Sequence, residues 1–247
     1  MCLIFYSYNI TNVKKHIHRF NSFSEHIRLY GGIGFAWIGN KSHKWKTLKR
    51  IGLYNSFPEE MFSTNILIGH IRKMYDGSAK NTIENVHPFS YKNQIFLHNG
   101  DTYNFDVTRK LFLKEIDKEL RQHIKGETDT EYIFYMFLTI KKNLESREIY
   151  TNEVDILIKT TEILFRIMRQ YYQKFRANFV YANKSYSIIV RYSFKDVAKD
   201  LYFNEQTSDN KLLISSMPIT DNYKLIPSRT IIVVDHNKNT YITKKLI

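Results

Sequence analysis

The order in which two kinds of apolar pattern follow one another is the strongest constraint on how this chain folds. Short apolar runs bounded by polar residues come first: "CLIFYSY" at residues 2–8, "GGIGFAWIG" at 31–39, "NILIGHIRK" at 65–73 and "NQIFLHNG" at 93–100. Runs of this length suit core strands, the second entered through glycines. Between the first two, "NVKKHIHRFNSFSEHIRLY" mixes helix and loop character. The last third returns to strand-like runs, "ANFVYAN", "SYSIIVRYS", "DLYFNE", "KLLISS", "TIIVVD" and "NTYITKKL", with Pro218 and Pro227 outside them.

The middle of the chain carries a different period. Asp106 is placed to cap "VTRKLFLKEIDKELRQHI", in which Leu111, Ile116, Leu120 and Ile124 approximate one face. "TDTEYIFYMFLTIKKNL" opens with Thr128 and Glu131 at capping-box spacing. "NEVDILIKTTEILFRIMRQYYQKF" sets Leu157, Thr161, Leu164, Phe165 and Met168 along a long amphipathic helix. Strands, helices, then strands predict an α+β fold of packed sheets rather than alternating βαβ units. No internal repeat or low-complexity linker divides the chain, so residues 1–247 are expected to form a single domain.

Charge narrows the possible partners. The formal net charge of +13 is spread along the chain, with 13 basic and 5 acidic side chains in residues 1–100 and 24 and 19 in the remainder. Only "KSHKWKTLKR" at 41–50 is one-sided, and such a run is more often a solvated face than a nucleic-acid site. Nucleic acid is therefore not the expected partner. No apolar stretch approaches membrane-spanning length and "LIFY" is too short for a signal-peptide core, so a soluble protein of the reducing cytoplasm, without a membrane partner, is expected.

The one cysteine, Cys2, rules out an intrachain disulfide and a thiolate zinc cluster. Cys is small enough for an aminopeptidase to remove Met1, which would give Cys2 a free α-amine beside its thiol. An amine of reference pKa about 7.7 to 8.0 can take the proton of a thiol near 8.5, so nucleophile and base could share one residue.

"LHNGDTY" at 97–103 admits two readings. Asn99-Gly100 tolerates positive φ at both positions and would close a type I′ hairpin. Alternatively, its donors serve a site.

Taken in order, "MC", "GGIGFAWI", "GHIRKMYDG", "NVHPF", "FLHNGD", "GETDTEYIF" and "ISSMPITDNYKLIPSRTIIVVD" resemble the class II glutamine amidotransferases, a branch of the N-terminal nucleophile hydrolases. "NVHPF" and "SSMP…IPSRTIIVV" look most like the stand-alone subgroup that includes the ergothioneine-pathway γ-glutamyl amidohydrolase and a subunit of a glutathione-degrading complex. The resemblance implies a four-layer αββα sandwich of two mainly antiparallel sheets flanked by helices. It also implies a glutamine or γ-glutamyl substrate, with no cofactor and no metal.

Site roles follow from the resemblance. Cys2 is the expected nucleophile, forming a thioester, and the Asn99 side-chain amide and the Gly100 backbone N–H the expected oxyanion hole. Arg72 matches the arginine that forks onto the substrate α-carboxylate, and Asp129 the acid that receives the α-ammonium. His70 and Gly77 complete the "HIRKMYDG" substrate-binding stretch, while His70, His87 and His98 more naturally support strand ends than act as bases or metal ligands. Met74 and Tyr75 stand where relatives carry a small residue and a hydroxyl, Leu3 follows the nucleophile where Gly or Arg is common, and Ser215-Ser216-Met217 replaces "ASE". Catalytic competence is therefore expected, with specificity open between free glutamine and another γ-glutamyl amide. Two alternatives stay open: a glutaminase subunit that passes ammonia to a partner synthase or complex, and a catalytically silent binding protein that uses its basic surface.

Overall fold

A computed structural model describes residues 2–25, 30–38, 44–52, 56–74, 79–147, 149–206 and 211–247. Thirteen strands and five α-helices are found among them. In chain order they are β1 (Leu3–Tyr8), α1 (Val13–Glu25), β2 (Tyr30–Ile38), β3 (Trp45–Ile51), β4 (Ile66–Lys73), β5 (Phe89–Tyr91) and β6 (Gln94–Thr102). Then follow α2 (Phe105–Glu115), α3 (Lys118–Arg121), α4 (Asp129–Glu145) and α5 (Glu153–Tyr171). The last are β7 (Phe175–Ala182), β8 (Tyr186–Phe194), β9 (Tyr202–Gln206), β10 (Lys211–Ser215), β11 (Lys224–Leu225), β12 (Thr230–Asp235) and β13 (Thr240–Lys245).

The strands form two sheets, ordered β11-β9-β10-β1-β4-β2-β3 and β13-β12-β8-β7-β6-β5. Every pairing among the described residues is antiparallel. The apolar runs lack a polar alternation because the central strands are covered on both faces, and period two decides which residue meets which layer. In β1, Leu3 and Phe5 pack with Val13, Ile17 and Phe20 of α1. Ile4, Tyr6 and Tyr8 pack instead between the sheets, against Ile95, Leu97 and Val180. In β12, Ile231 and Val233 turn to the helices while Ile232 and Val234 face the first sheet. The result is the four-layer αββα sandwich: α1, the seven-stranded sheet, the six-stranded sheet, then α2 to α5.

Close packing of the layers demands glycine at one place in β2. A Cβ on Gly34 would lie 1.8 Å from the His87 carbonyl oxygen. Residues 45–50 of the basic run lie in the edge strand β3, a placement that protects a sheet edge from further pairing, while residues 41–43 lie outside the described residues. Lys46 there pairs with Glu60, and Lys49 Nζ lies 5.3 Å from the Phe89 ring centre.

Two helix expectations are corrected. Residues 107–124 do not form one helix, because Ile116 is extended and the Asp117 carboxylate caps a new helix by accepting the Glu119 N–H. The buried residue of α2 is Phe112, while Leu111 is exposed, and the N-cap is Asn104 in the left-handed region rather than Asp106. At α4 the Thr128 side chain makes no cap. Glu131 turns away to accept the N–H groups of Lys125 and Gly126, so the loop before the helix takes the bonds a capping box would have used. The third helix agrees with expectation: Leu157, Thr161, Leu164, Phe165 and Met168 are all buried, and the Asn152 side chain caps α5 by accepting the Asp155 N–H.

Candidate active site

Asn99-Gly100 is not a turn. Both residues lie within β6, facing Asn178 and Ala177 of β7, and β6 continues to Thr102. Ile95 and Leu97 of this strand face the other sheet, and Asn99 continues their side by period two. Cys2 immediately precedes β1 and continues the even-numbered face of Ile4 and Tyr6, which also looks into the space between the sheets. Thus the facing surfaces of the two sheets carry Cys2 and Asn99 toward the same edge.

A cavity of about 1100 Å³ opens at this edge. Cys2, Arg72, Gly100, Asp129, Arg176 and Lys199 are among its lining residues. Asn99 and His70 are not; they are buried behind the wall. Gly77, Tyr75 and Met1 lie outside the described residues.

Cys2 Sγ is half-buried and accepts the Lys73 N–H at 3.4 Å. The neighbouring Leu3↔Ile71 pairing places it beside the end of β4, which carries Arg72. The Arg72 guanidinium is held at the wall by the carbonyls of Ala79, 2.6 Å from Nη2, and Lys80, 3.3 Å from Nη1. Asn85 ties this segment to the entrance of α4, donating to the Lys80 carbonyl at 2.9 Å and accepting the Glu127 N–H at 2.8 Å.

Asp129 opens α4, where the helix N-terminus favours a carboxylate. Its Oδ2 accepts the Thr102 hydroxyl at 2.7 Å. The Thr130 hydroxyl stands 3.2 Å from Asp129 Oδ1 and 3.1 Å from His98 Nδ1, and its single proton can serve only one of them. Burial, the largest influence, pushes the His98 pKa down and keeps the ring neutral, against the opposing pull of Asp129. Nε2 then donates to the Arg176 carbonyl at 3.3 Å and Nδ1 takes the Thr130 proton. His70 and His87 meet at 2.9 Å between ring nitrogens and are also pushed well down, first by burial, then because neighbouring imidazoles cannot share a second proton cheaply, and then by Arg72. Neutral rings suit a supporting role, and no cluster of His, Cys, Asp and Glu among the described residues could hold a metal.

Several residues at the site carried no local signal in the sequence. Asp101 pairs with Arg176 at 2.7 Å and with Lys199 at 3.1 Å. Lys199 Nζ also donates to Asn99 Oδ1 at 3.3 Å. On its other side the Asn99 amide donates to Ser216 Oγ at 3.4 Å, and that hydroxyl accepts the Ile4 N–H at 2.9 Å. Ser216 was noticeable only as a departure from "ASE"; Lys199 lies in a loop whose sequence, "SFKDVAKD", marks no site.

Known proteins resemble this chain in sequence and in fold. Residues 53–244 match the family described as glutamine amidotransferases class-II, a match that begins after Cys2. A probable glutamine amidotransferase of Saccharomyces cerevisiae, DUG3, is 34% identical over 79 residues, which is 32% of this chain and only 22% of that protein. A glutamine aminotransferase class-II domain protein from Silicibacter pomeroyi superposes over 99% of both chains, with a TM-score of 0.63 at 15% identity. Glutamine phosphoribosylpyrophosphate amidotransferase from B. subtilis gives 0.65 at 13% identity, over 99% of this chain and 49% of its own. At such identities the two structures speak for the fold, that of N-terminal nucleophile amidotransferases, and the family match for descent. No described helix is long and apolar enough to cross a membrane. By the match over residues 53–244, this chain belongs to the class II glutamine amidotransferases.

Proposed function

We propose that the protein hydrolyses the γ-amide of glutamine or of a γ-glutamyl compound, with Cys2 as nucleophile after removal of Met1. One observation carries this reading: a thiol, a guanidinium and a carboxylate, from Cys2, Arg72 and Asp129, share one cavity with the Gly100 backbone. The two opposite charges suit the α-carboxylate and α-ammonium of an amino acid, leaving its side chain to reach the thiol.

In this mechanism the Cys2 α-amine takes the thiol proton as Sγ attacks the γ-carbonyl carbon. The Gly100 N–H and the Asn99 amide stabilise the resulting oxyanion. The C–N bond then breaks, the leaving nitrogen takes the proton from the α-ammonium of Cys2, and a thioester remains. Water, deprotonated by the same amine, attacks the thioester to release glutamate and restore the thiol. The cavity, about 1100 Å³ and open to solvent, leaves room for a substituent on the γ-nitrogen.

The test is intact mass before and after exposure to a diazo-oxo-norleucine glutamine analogue, with the label mapped by digestion. Loss of Met1 and one adduct on Cys2 are expected. Retained Met1, or an adduct elsewhere, overturns the reading. Turnover of a γ-glutamyl series against free glutamine then fixes the substrate, with a preference for substituted amides expected.

A further inference from the structure

We propose that Lys199 is a positioning residue that fixes which way round the Asn99 amide stands, an inference that rests on the function proposed above. A carboxamide has nearly the same shape with its oxygen and nitrogen exchanged, so only its partners decide the orientation. The two partners of Asn99 differ in that respect. The Ser216 hydroxyl can donate or accept, and so tolerates either end of the amide. The Lys199 ammonium has donors only and can bond only Oδ1, which it does at 3.3 Å. Turning the amide over would set its NH₂ against the ammonium. Lys199 therefore directs Nδ2 toward Ser216, which is tied to Ile4 of β1 and so to the strand that Cys2 begins. Of the two Nδ2 hydrogens, one serves Ser216 and the second is the donor an oxyanion would use.

The fold places Lys199 at considerable cost in buried polar groups. Its side chain is 12% exposed, in the loop between β8 and β9. The Lys199 carbonyl accepts from Asn178 Nδ2 at 2.9 Å and from Arg191 Nε at 2.8 Å. Arg191 also donates to the carbonyls of Ala198, at 3.1 Å, and Ile226, at 2.8 Å. Asn178 is itself the strand partner of Asn99, so the residue that carries the amide and the residue that anchors its lysine sit opposite each other. Asp101, 3.1 Å from Nζ, balances the charge and gives the ammonium a second fixed contact. A solvent-facing lysine would need none of this scaffolding.

The experiment compares Lys199→Met, which cannot donate, with Lys199→Arg, which has donors only. Lys199→Met is expected to lower kcat about 10- to 100-fold, a share of the effect of deleting an oxyanion donor, with KM within threefold because Arg72 and Asp129 are untouched. Adding Asn99→Ala to Lys199→Met is expected to cost far less than it does alone, and Lys199→Arg to recover most of kcat. Multiplying effects, or a kcat for Lys199→Met within threefold of the parent, overturn the proposal. A second readout does not depend on turnover. In protein labelled with ¹⁵N-asparagine, the Asn99 side-chain NH₂ pair, assigned by its disappearance in Asn99→Ala, is expected to shift or broaden in Lys199→Met and to return in Lys199→Arg. An unmoved pair overturns the positioning role even where no substrate is turned over, whereas a moved pair in a protein unreactive at Cys2 retains the role and rejects the function.

Discussion

The Thr102 hydroxyl donates to Asp129 Oδ2 at 2.7 Å, joining the end of β6 to the start of α4. This bond fixes one carboxylate oxygen. The other, beside a Thr130 hydroxyl that neutral His98 claims, is the one available to an α-ammonium. Thr102→Val keeps the shape and removes the donor. A hydrogen bond to a charged group is worth about 1.5 to 3 kcal/mol, so KM for glutamine or the preferred γ-glutamyl compound is expected to rise about tenfold or more, with kcat changed less. Steady-state kinetics check this, and an unchanged KM would remove Asp129 from the recognition of the amino-acid head.

Arg72 should resist conservative exchange. Lys80 and Ala79 give the two Nη atoms separate carbonyls, a fork that a single ammonium cannot match. Arg72→Lys is expected to raise KM about tenfold or more through loss of bidentate recognition, and to lower stability slightly as the 79–80 segment loses a tie. Binding of a glutamine analogue by calorimetry separates the two effects, and equal affinity for both forms would refute the role.

The sequence disclosed the sheets better than the helices, and the candidate site residues better than the side chains that hold them. Continuous apolar runs such as residues 230–235 mark strands covered on both faces, and the sandwich gives them that environment. Glu131 misled because a capping box is a local pattern, whereas the N–H groups of Lys125 and Gly126 compete for the same carboxylate only once the loop is folded. At Asn99-Gly100 the strand excludes the turn, one of the two readings, since a residue that tolerates positive φ need not adopt it. Lys199 lies 100 residues from Asn99, and no periodicity reports a contact at that separation. Arg72, Asp129 and Cys2 were legible only as parts of an ordered series of motifs.

Acid should destabilise the protein through its interior histidines. Burial lowers the folded pKa of His70, His87 and His98 below the 6.5 of a free ring, and that of His236 to about 4. The unfolded chain then binds more protons than the folded one below pH 6.5, so the stability from neutral rings is complete above that pH and is lost as pH falls. Each such ring removes up to about 1.4 kcal/mol per pH unit in that window. Glu131, raised by burial, works in the opposite direction as one group, whereas His16, pushed down by partial burial and by Lys15 and Arg19, adds to the four. Urea unfolding at pH 7.5, 6.5 and 5.5 is expected to show little change over the first interval and a clear fall over the second; equal stability throughout would mean that the rings are not neutral in the fold.

Two glycines separate crowding from backbone strain. A Cβ on Gly100 would come within 2.0 Å of the Arg176 carbonyl oxygen and of His98 Nε2. The imidazole could swing away, but the carbonyl belongs to the paired strand β7 and can retreat only by opening the β6–β7 ladder. Gly52, in contrast, has φ +79° and nothing within 4 Å of an added Cβ. Gly52→Ala is expected to cost about 1 kcal/mol of stability, the penalty of a left-handed L-residue, with kcat retained. Gly100→Ala is expected to cost about 1 to 3 kcal/mol from overpacking and, at temperatures where it stays folded, to lose kcat in far greater proportion than its stability. Urea midpoints paired with kcat for both variants decide the matter. If Gly100→Ala turns over like Gly52→Ala, close approach of the Gly100 backbone is not needed for the chemistry, and the oxyanion hole must be sought elsewhere along the cavity wall.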